Sequence, residues 1–151
     1  MRSRVSCLVL AAPLCLSACG SADLLAPPSG LPHAAASRSC APTDGPAVAI
    51  YLAPTSISAL EPAPPYVRLQ VWKPVNEIVG KWSLSPGSAD GSAAHFRPAG
   101  SIESAARGTV VVLAIGADST VTGNVDLIFP SIGHVRGGFS ARWVSRTFLC
   151  G

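Results

Sequence analysis

Through most of the chain after residue 46, apolar and polar residues alternate with a period of two, the mark of strands with one buried face. Ala47-Val48-Ala49-Ile50-Tyr51-Leu52 is a short apolar run behind the turn residues Asp44-Gly45-Pro46. Tyr66 to Trp72 alternates with Val67, Leu69 and Val71 on one face, and Ile78 to Leu84 continues the pattern around Trp82. A turn-rich loop, Ser85 to Gly91, precedes a shorter run from Ala93 to Arg97. Gly108 to Ile115, Val121 to Phe129 and Gly133 to Val144 then follow one another across tight connections, which predicts an antiparallel meander. These seven runs within about 110 residues predict an all-β domain, an antiparallel β-sandwich or small barrel. Ser101 to Ala106 is the one short stretch with any helical character.

Two glycines interrupt this pattern on what should be inward faces. Gly123 shares a face with Val121, Val125, Leu127 and Phe129, and Gly137 shares one with Val135, Phe139, Ala141 and Trp143. Glycine weakens a strand unless the strand bends or something approaches closely, so both predict a bulge or tight curl, with a ligand gap as the alternative.

The first residues follow a different pattern. Arg2 and Arg4 precede an apolar stretch of about 12 residues, Val5 to Leu16, and Leu16-Ser17-Ala18-Cys19 follows at once. That order is a secretory signal, and the stretch is shorter than the ~18 residues a spanning helix requires. Leu16-Ser17-Ala18-Cys19 resembles the lipobox of bacterial lipoproteins. The resemblance implies removal of residues 1–18 and acyl chains on Cys19, hence a protein exported and anchored to a membrane. Gly20 follows the cysteine where an aspartate would favour inner-membrane retention, so in a Gram-negative source the outer membrane is the expected site. Residues 20–39, rich in Pro, Gly, Ser and Ala, read as a flexible linker with a span of roughly 25 Å, although Leu24-Leu25 also suit docking on lipid or on the domain. Residues 40–151 are left as the β-domain.

Processing changes both the charge and the cysteine arithmetic. The chain of 151 residues has 11 Lys and Arg against 8 Asp and Glu; removing Arg2 and Arg4 leaves 9 against the same 8. The mature protein is nearly neutral and has no basic stripe interleaved with aromatics, so nucleic acid is not an expected partner. Of the five cysteines, Cys7 and Cys15 leave with the signal and Cys19 is acylated, so Cys40 and Cys150 remain. In an oxidising compartment these two predict one disulfide joining the ends of the domain; two free buried thiols are the alternative.

Three blocks, Glu103 to Val110, Val121 to Phe129 and Val135 to Trp143, resemble the C-terminal part of small, uncharacterised bacterial lipoproteins. In these, a strand opening S-G-T-V is followed by G-x-x-x-L-x-F, then by G-x-F-x-A before a terminal Cys. Arg107 stands where a small residue is usual. The resemblance covers about 45 residues and implies a β-domain, with no activity or site residues to carry over.

Chemistry-bearing residues are scattered. His33, His95 and His134 are isolated in the sequence, the carboxylates form neither a pair nor a calcium loop, and Gly87-Ser88-Ala89-Asp90-Gly91 places its serine one position too early for a nucleophile elbow. No catalytic residue, metal ligand or cofactor is expected. The sequence does suggest a binding face: Arg68, Arg136 and Arg142 all fall on polar strand faces and, if their strands adjoin, would form a cationic surface beside Tyr66 and Trp72. The bland reading is that charged outward positions keep sheet edges soluble. The expectation is therefore a non-catalytic envelope lipoprotein whose β-domain gives structural support or contacts another envelope protein, with a module for anionic glycan or lipid as the alternative. Nothing in the residues indicates an oligomeric state.

Overall fold

The computed structural model describes residues 24–58, 61–144 and 150; the expected export signal, Cys19 and residues 20–23 lie outside the described residues. Nine strands form one sheet: β1 (His33–Cys40), β2 (Pro46–Ala53), β3 (Tyr66–Val71), β4 (Gly80–Ser83), β5 (Gly91–Phe96), β6 (Ile102–Ser104), β7 (Arg107–Ile115), β8 (Thr120–Phe129) and β9 (Gly133–Trp143). Their order across the sheet is β4-β7-β8-β9-β1-β2-β3-β5-β6. The sole helical element among the described residues is a single 3-10 turn, Val75–Glu77.

The all-β expectation holds, but the arrangement differs from the one predicted. There are nine strands instead of seven, and a single curled sheet, a half-barrel, stands in place of a two-layer sandwich or a closed small barrel. The sheet is not wholly antiparallel, since β1 pairs in parallel with β9 through Ala35–Arg142 and Ala36–Trp143. The two additional strands are β1 and β6. β1 occupies residues read as linker, so the domain begins before Cys40, and β6 lies within the stretch given helical character. The sheet curls almost into a barrel because β6, at one edge, runs directly through Ala105 and Ala106 into β7, second from the other edge. Ala106 N donates to Ile128 O at 2.8 Å and Leu84 N to Gly108 O at 2.8 Å, tying this crossover to the far side.

The curl encloses one core. Val48, Ile50 and Leu52 of β2, Val67, Leu69 and Val71 of β3, Val110 and Val112 of β7, and Val121, Val125, Leu127 and Phe129 of β8 all point inward and are buried. The alternation seen in the sequence thus becomes an inner and an outer face, as strand geometry requires. In β2, however, every residue after Pro46 is buried. Its outward Ala49, Tyr51 and Ala53 join Tyr66 in a second cluster, with Ile57 of the 54–65 loop and Phe96 packed against it. A continuous apolar run is what a strand covered on both faces needs.

Both inward glycines mark close approaches. A β-carbon at Gly123 would overlap Val111 O and stand 2.6 Å from Cζ of Phe139, so the ring of Phe139 fills the place of the missing side chain. The register shift between Val112 and Ala114 lies opposite Gly123 and Thr122, which puts the expected bulge on the partner strand. At Gly137 a β-carbon would meet Pro28 N at 2.5 Å and Ala26 O at 2.6 Å, and at Gly138 it would overlap Leu25 O. The segment 25–31 forms a strap that passes β9 at this Gly-Gly step from the outer face, at Gly138, to the inner face, at Gly137, with Gly138 N donating to Ala26 O at 2.7 Å and Leu25 N to Asn124 Oδ1 at 2.8 Å. The strap ends with Leu31 packed on the core.

Cys40 and Cys150 form a disulfide, with Cα atoms 5.6 Å apart. It joins the end of β1 to the chain beyond β9, at the opposite end of β1 from the strap.

Candidate functional site

The three arginines of the expected binding face project from the outer surface of the sheet, but the topology spreads them out. Register places Arg142, Ala35, Tyr51 and Arg68 in one cross-strand row. Three inter-strand steps separate Arg142 from Arg68, roughly 14 Å. Arg136 lies six residues before Arg142 along β9, roughly 20 Å away. Each arginine also has its own surroundings. The Arg68 guanidinium lies over the Phe96 ring, 4.9 Å from its centroid. Arg136 Nε stands 3.7 Å from Asp126 Oδ2 on the paired position of β8. Arg142 borders a shallow recess with Ile57, Ser58 and Trp143.

The two aromatics expected beside Arg68 are not displayed there. Tyr66 is buried, stacked on Phe96 at 4.5 Å, and its hydroxyl donates to Glu61. Burial first, and then this hydrogen bond to a carboxylate, push the phenol pKa above its ordinary value, so Tyr66 is a permanent donor at physiological pH. Trp72 stands at the other end of β3 and lines a separate recess under the 85–88 loop.

A second arrangement was not visible in the sequence. At the end of the curled sheet nearest the strap, an open recess of about 530 Å³ is lined by Leu31, Val67, His95, His134 and Val135 together with Pro54 and Pro65. His95 points inward from β5, edge-on to Phe129 with ring centroids 6.0 Å apart, and its Nδ1 stands 3.9 Å from Glu103 Oε2. His134 Nε2 is 2.8 Å from Asp126 Oδ1. The two imidazoles were separate in the sequence because 38 positions divide residues 95 and 134; the curl brings them to one rim. Sequence alone offered no signal for this, since it depends on which strand ends the curl of the sheet brings together. Among the described residues, no group of three or more His, Cys, Asp or Glu is placed to hold a metal.

Glu103 fastens the same end. It sits on the edge strand β6, accepts from Ser131 N at 3.1 Å and from the Ser131 hydroxyl, and its Oε1 is 3.0 Å from Arg97 Nη2. These contacts join β6 to the β8–β9 turn across the seam of the curl. The Ser131 hydroxyl and then the Arg97 guanidinium hold the carboxyl below its ordinary value, against partial desolvation that acts the other way.

Comparison of the chain with protein-family models, with curated proteins and with solved structures finds no match.

Proposed function

We propose that this is an exported, lipid-anchored envelope protein whose β-domain acts by being held at a membrane surface and making contacts there, as structural support or as a docking module, without catalysis. The observation that carries this reading is the strap. The chain that follows a lipobox-like Leu16-Ser17-Ala18-Cys19 reaches the domain within a few residues, at Leu25, and is fastened there by Leu25 and Ala26 to Asn124 and Gly138. Such an attachment fits a domain meant to be held by its N-terminal side. Filling of the barrel interior by the apolar core supports a role made at the outer surface.

A ligand-binding role is the second reading, favoured by the recess that gathers His95 and His134 among apolar side chains at a barrel end, a usual position for small-ligand sites. An anionic glycan or lipid headgroup suits imidazole donors at the rim. Cys19→Ala separates the anchor from all else: the variant should lose its acylation and its extraction into the detergent phase, and an unaltered lipid mass on the purified protein would overturn the anchor. Thermal stabilisation by a glycan or lipid panel, abolished by His95→Ala, would favour the second reading.

A further inference from the structure

The strap fixes which face of the domain meets the membrane. Resting on the anchor reading above, we infer that the outer surface of β4, β7, β8 and β9, with Leu24 and Leu25 on it, docks flat on an anionic lipid surface.

Distance is the first argument. Leu24 is five residues beyond Cys19, and five extended residues span at most about 18 Å. The linker expected from composition would have left the domain free to turn; fastening of residues 25–28 against β8 and β9, and of Leu31 on the core, removes most of that length. Whatever lies around the strap is consequently held close to the acyl chains.

The second argument is what lies there. Lys81, Val111, Asn124 and Gly138 form one cross-strand row, and Leu25 sits over its Asn124–Gly138 end. Leu24 and Leu25 remain 49% and 43% exposed, although the strap that carries them is fixed. Two adjacent leucines held at the surface beside a lipid attachment suit insertion among headgroups.

Charge is the third. On β4, β7, β8 and β9 the cations are Lys81, Arg107, Arg136 and Arg142, all exposed, against Asp126 on β8, Asp118 in the β7–β8 turn and Asp23 just before Leu24 in the sequence. Of the carboxylates elsewhere, Glu61 is engaged with Tyr66 and Glu103 with Ser131 and Arg97. A nearly neutral protein thus presents a net positive face on the side where its anchor leaves, and such a face is attracted to anionic lipid within about a Debye length.

The test uses the full lipidated chain on vesicles of phosphatidylglycerol and phosphatidylcholine, on phosphatidylcholine alone, and in detergent micelles, read by hydroxyl-radical footprinting. On the anionic vesicles, oxidation of Leu24, Leu25 and Val111 should fall several-fold relative to micelles, while Ile102 on β6 stays reactive. The protection should weaken on neutral vesicles and in 1 M salt, where the Debye length is about 3 Å. Lys81→Glu with Arg107→Glu should abolish it while flotation with the vesicles persists, and an unchanged melting temperature in micelles shows that this variant is folded. Flotation with equal oxidation of both faces overturns the docking and leaves the anchor standing. Failure of the wild-type chain to float overturns the anchor and the docking together.

Discussion

Gly123 shows how much one missing methyl contributes to this fold. Its partners across the sheet are Val112 and Phe139, and the ring of Phe139 lies over it. Gly123→Ala therefore forces Phe139 off its position and should destabilise the domain by about 1–3 kcal/mol, as overpacking does. Urea unfolding would show this as a lower midpoint, whereas Gly45→Ala, with open space around it, should leave the midpoint almost unchanged. Glu103 is the residue whose charge matters for pH. Its folded-state pKa is depressed, so its contribution to stability is complete above the unfolded value of about 4.3 and is lost as pH falls through the lower folded value. Glu103→Gln should accordingly melt below wild type at neutral pH, and the difference should shrink as pH falls below the usual glutamate range. Neither role was fully legible in the sequence. The inward position of Gly123 followed from alternation, but its occupant did not, and Glu103 seemed one more scattered acid because Ser131 is 28 positions away.

At the scale of elements, strands built from Val, Ile, Leu and aromatics were legible, and strands built from small residues were not. β8 and β9 place Val121, Val125, Leu127 and Phe129, and Val135, Phe139 and Ala141, at alternating positions, and the structure buries all seven. β1 reads His-Ala-Ala-Ala-Ser-Arg-Ser-Cys, a composition shared with linkers, yet it runs through the middle of the sheet. Its place explains its composition: Ala35 lies between Tyr51 and Arg142 in one row, and Ala36 faces the core at full burial, so neither face has room for a larger side chain. The strap escaped notice for a similar reason, because its sequence of Leu, Ala, Pro, Ser and Gly has no period to follow. Its fit depends on the two adjacent glycines of β9. Gly138→Val should dislodge it, and limited proteolysis should then cut within residues 25–31 several times faster than in wild type while the remaining sheet resists. Equal cutting rates would show that the strap does not depend on this contact.

For the molecule as a whole, the all-β class and the Cys40–Cys150 pairing followed from period and from cysteine counting, whereas closure did not. The meander β7-β8-β9 is local and was read correctly; the curl depends on β1 entering between β9 and β2, which no local signal announces. The disulfide spans a sequence separation of 110 and ties the end of β1 to the chain beyond β9. In the chain-entropy account a loop of that size contributes up to roughly 4.7 kcal/mol. Reduction, or Cys40→Ser with Cys150→Ser, should lower the melting temperature by many degrees, a difference that calorimetry of oxidised and reduced protein reads directly. The parallel pairing of β1 with β9 carries one more consequence, for the order in which the fold is made. A chain emerging from its N-terminus exposes β1 first, and one edge of that strand has no neighbour until β9 arrives more than ninety residues later. Folding therefore waits on the far end of the polypeptide, a high-contact-order topology that is slow to close. A nascent chain truncated before β9 should stay open along that edge, soft to protease and competent to be threaded through a narrow channel, and should snap shut only when its last strand comes free.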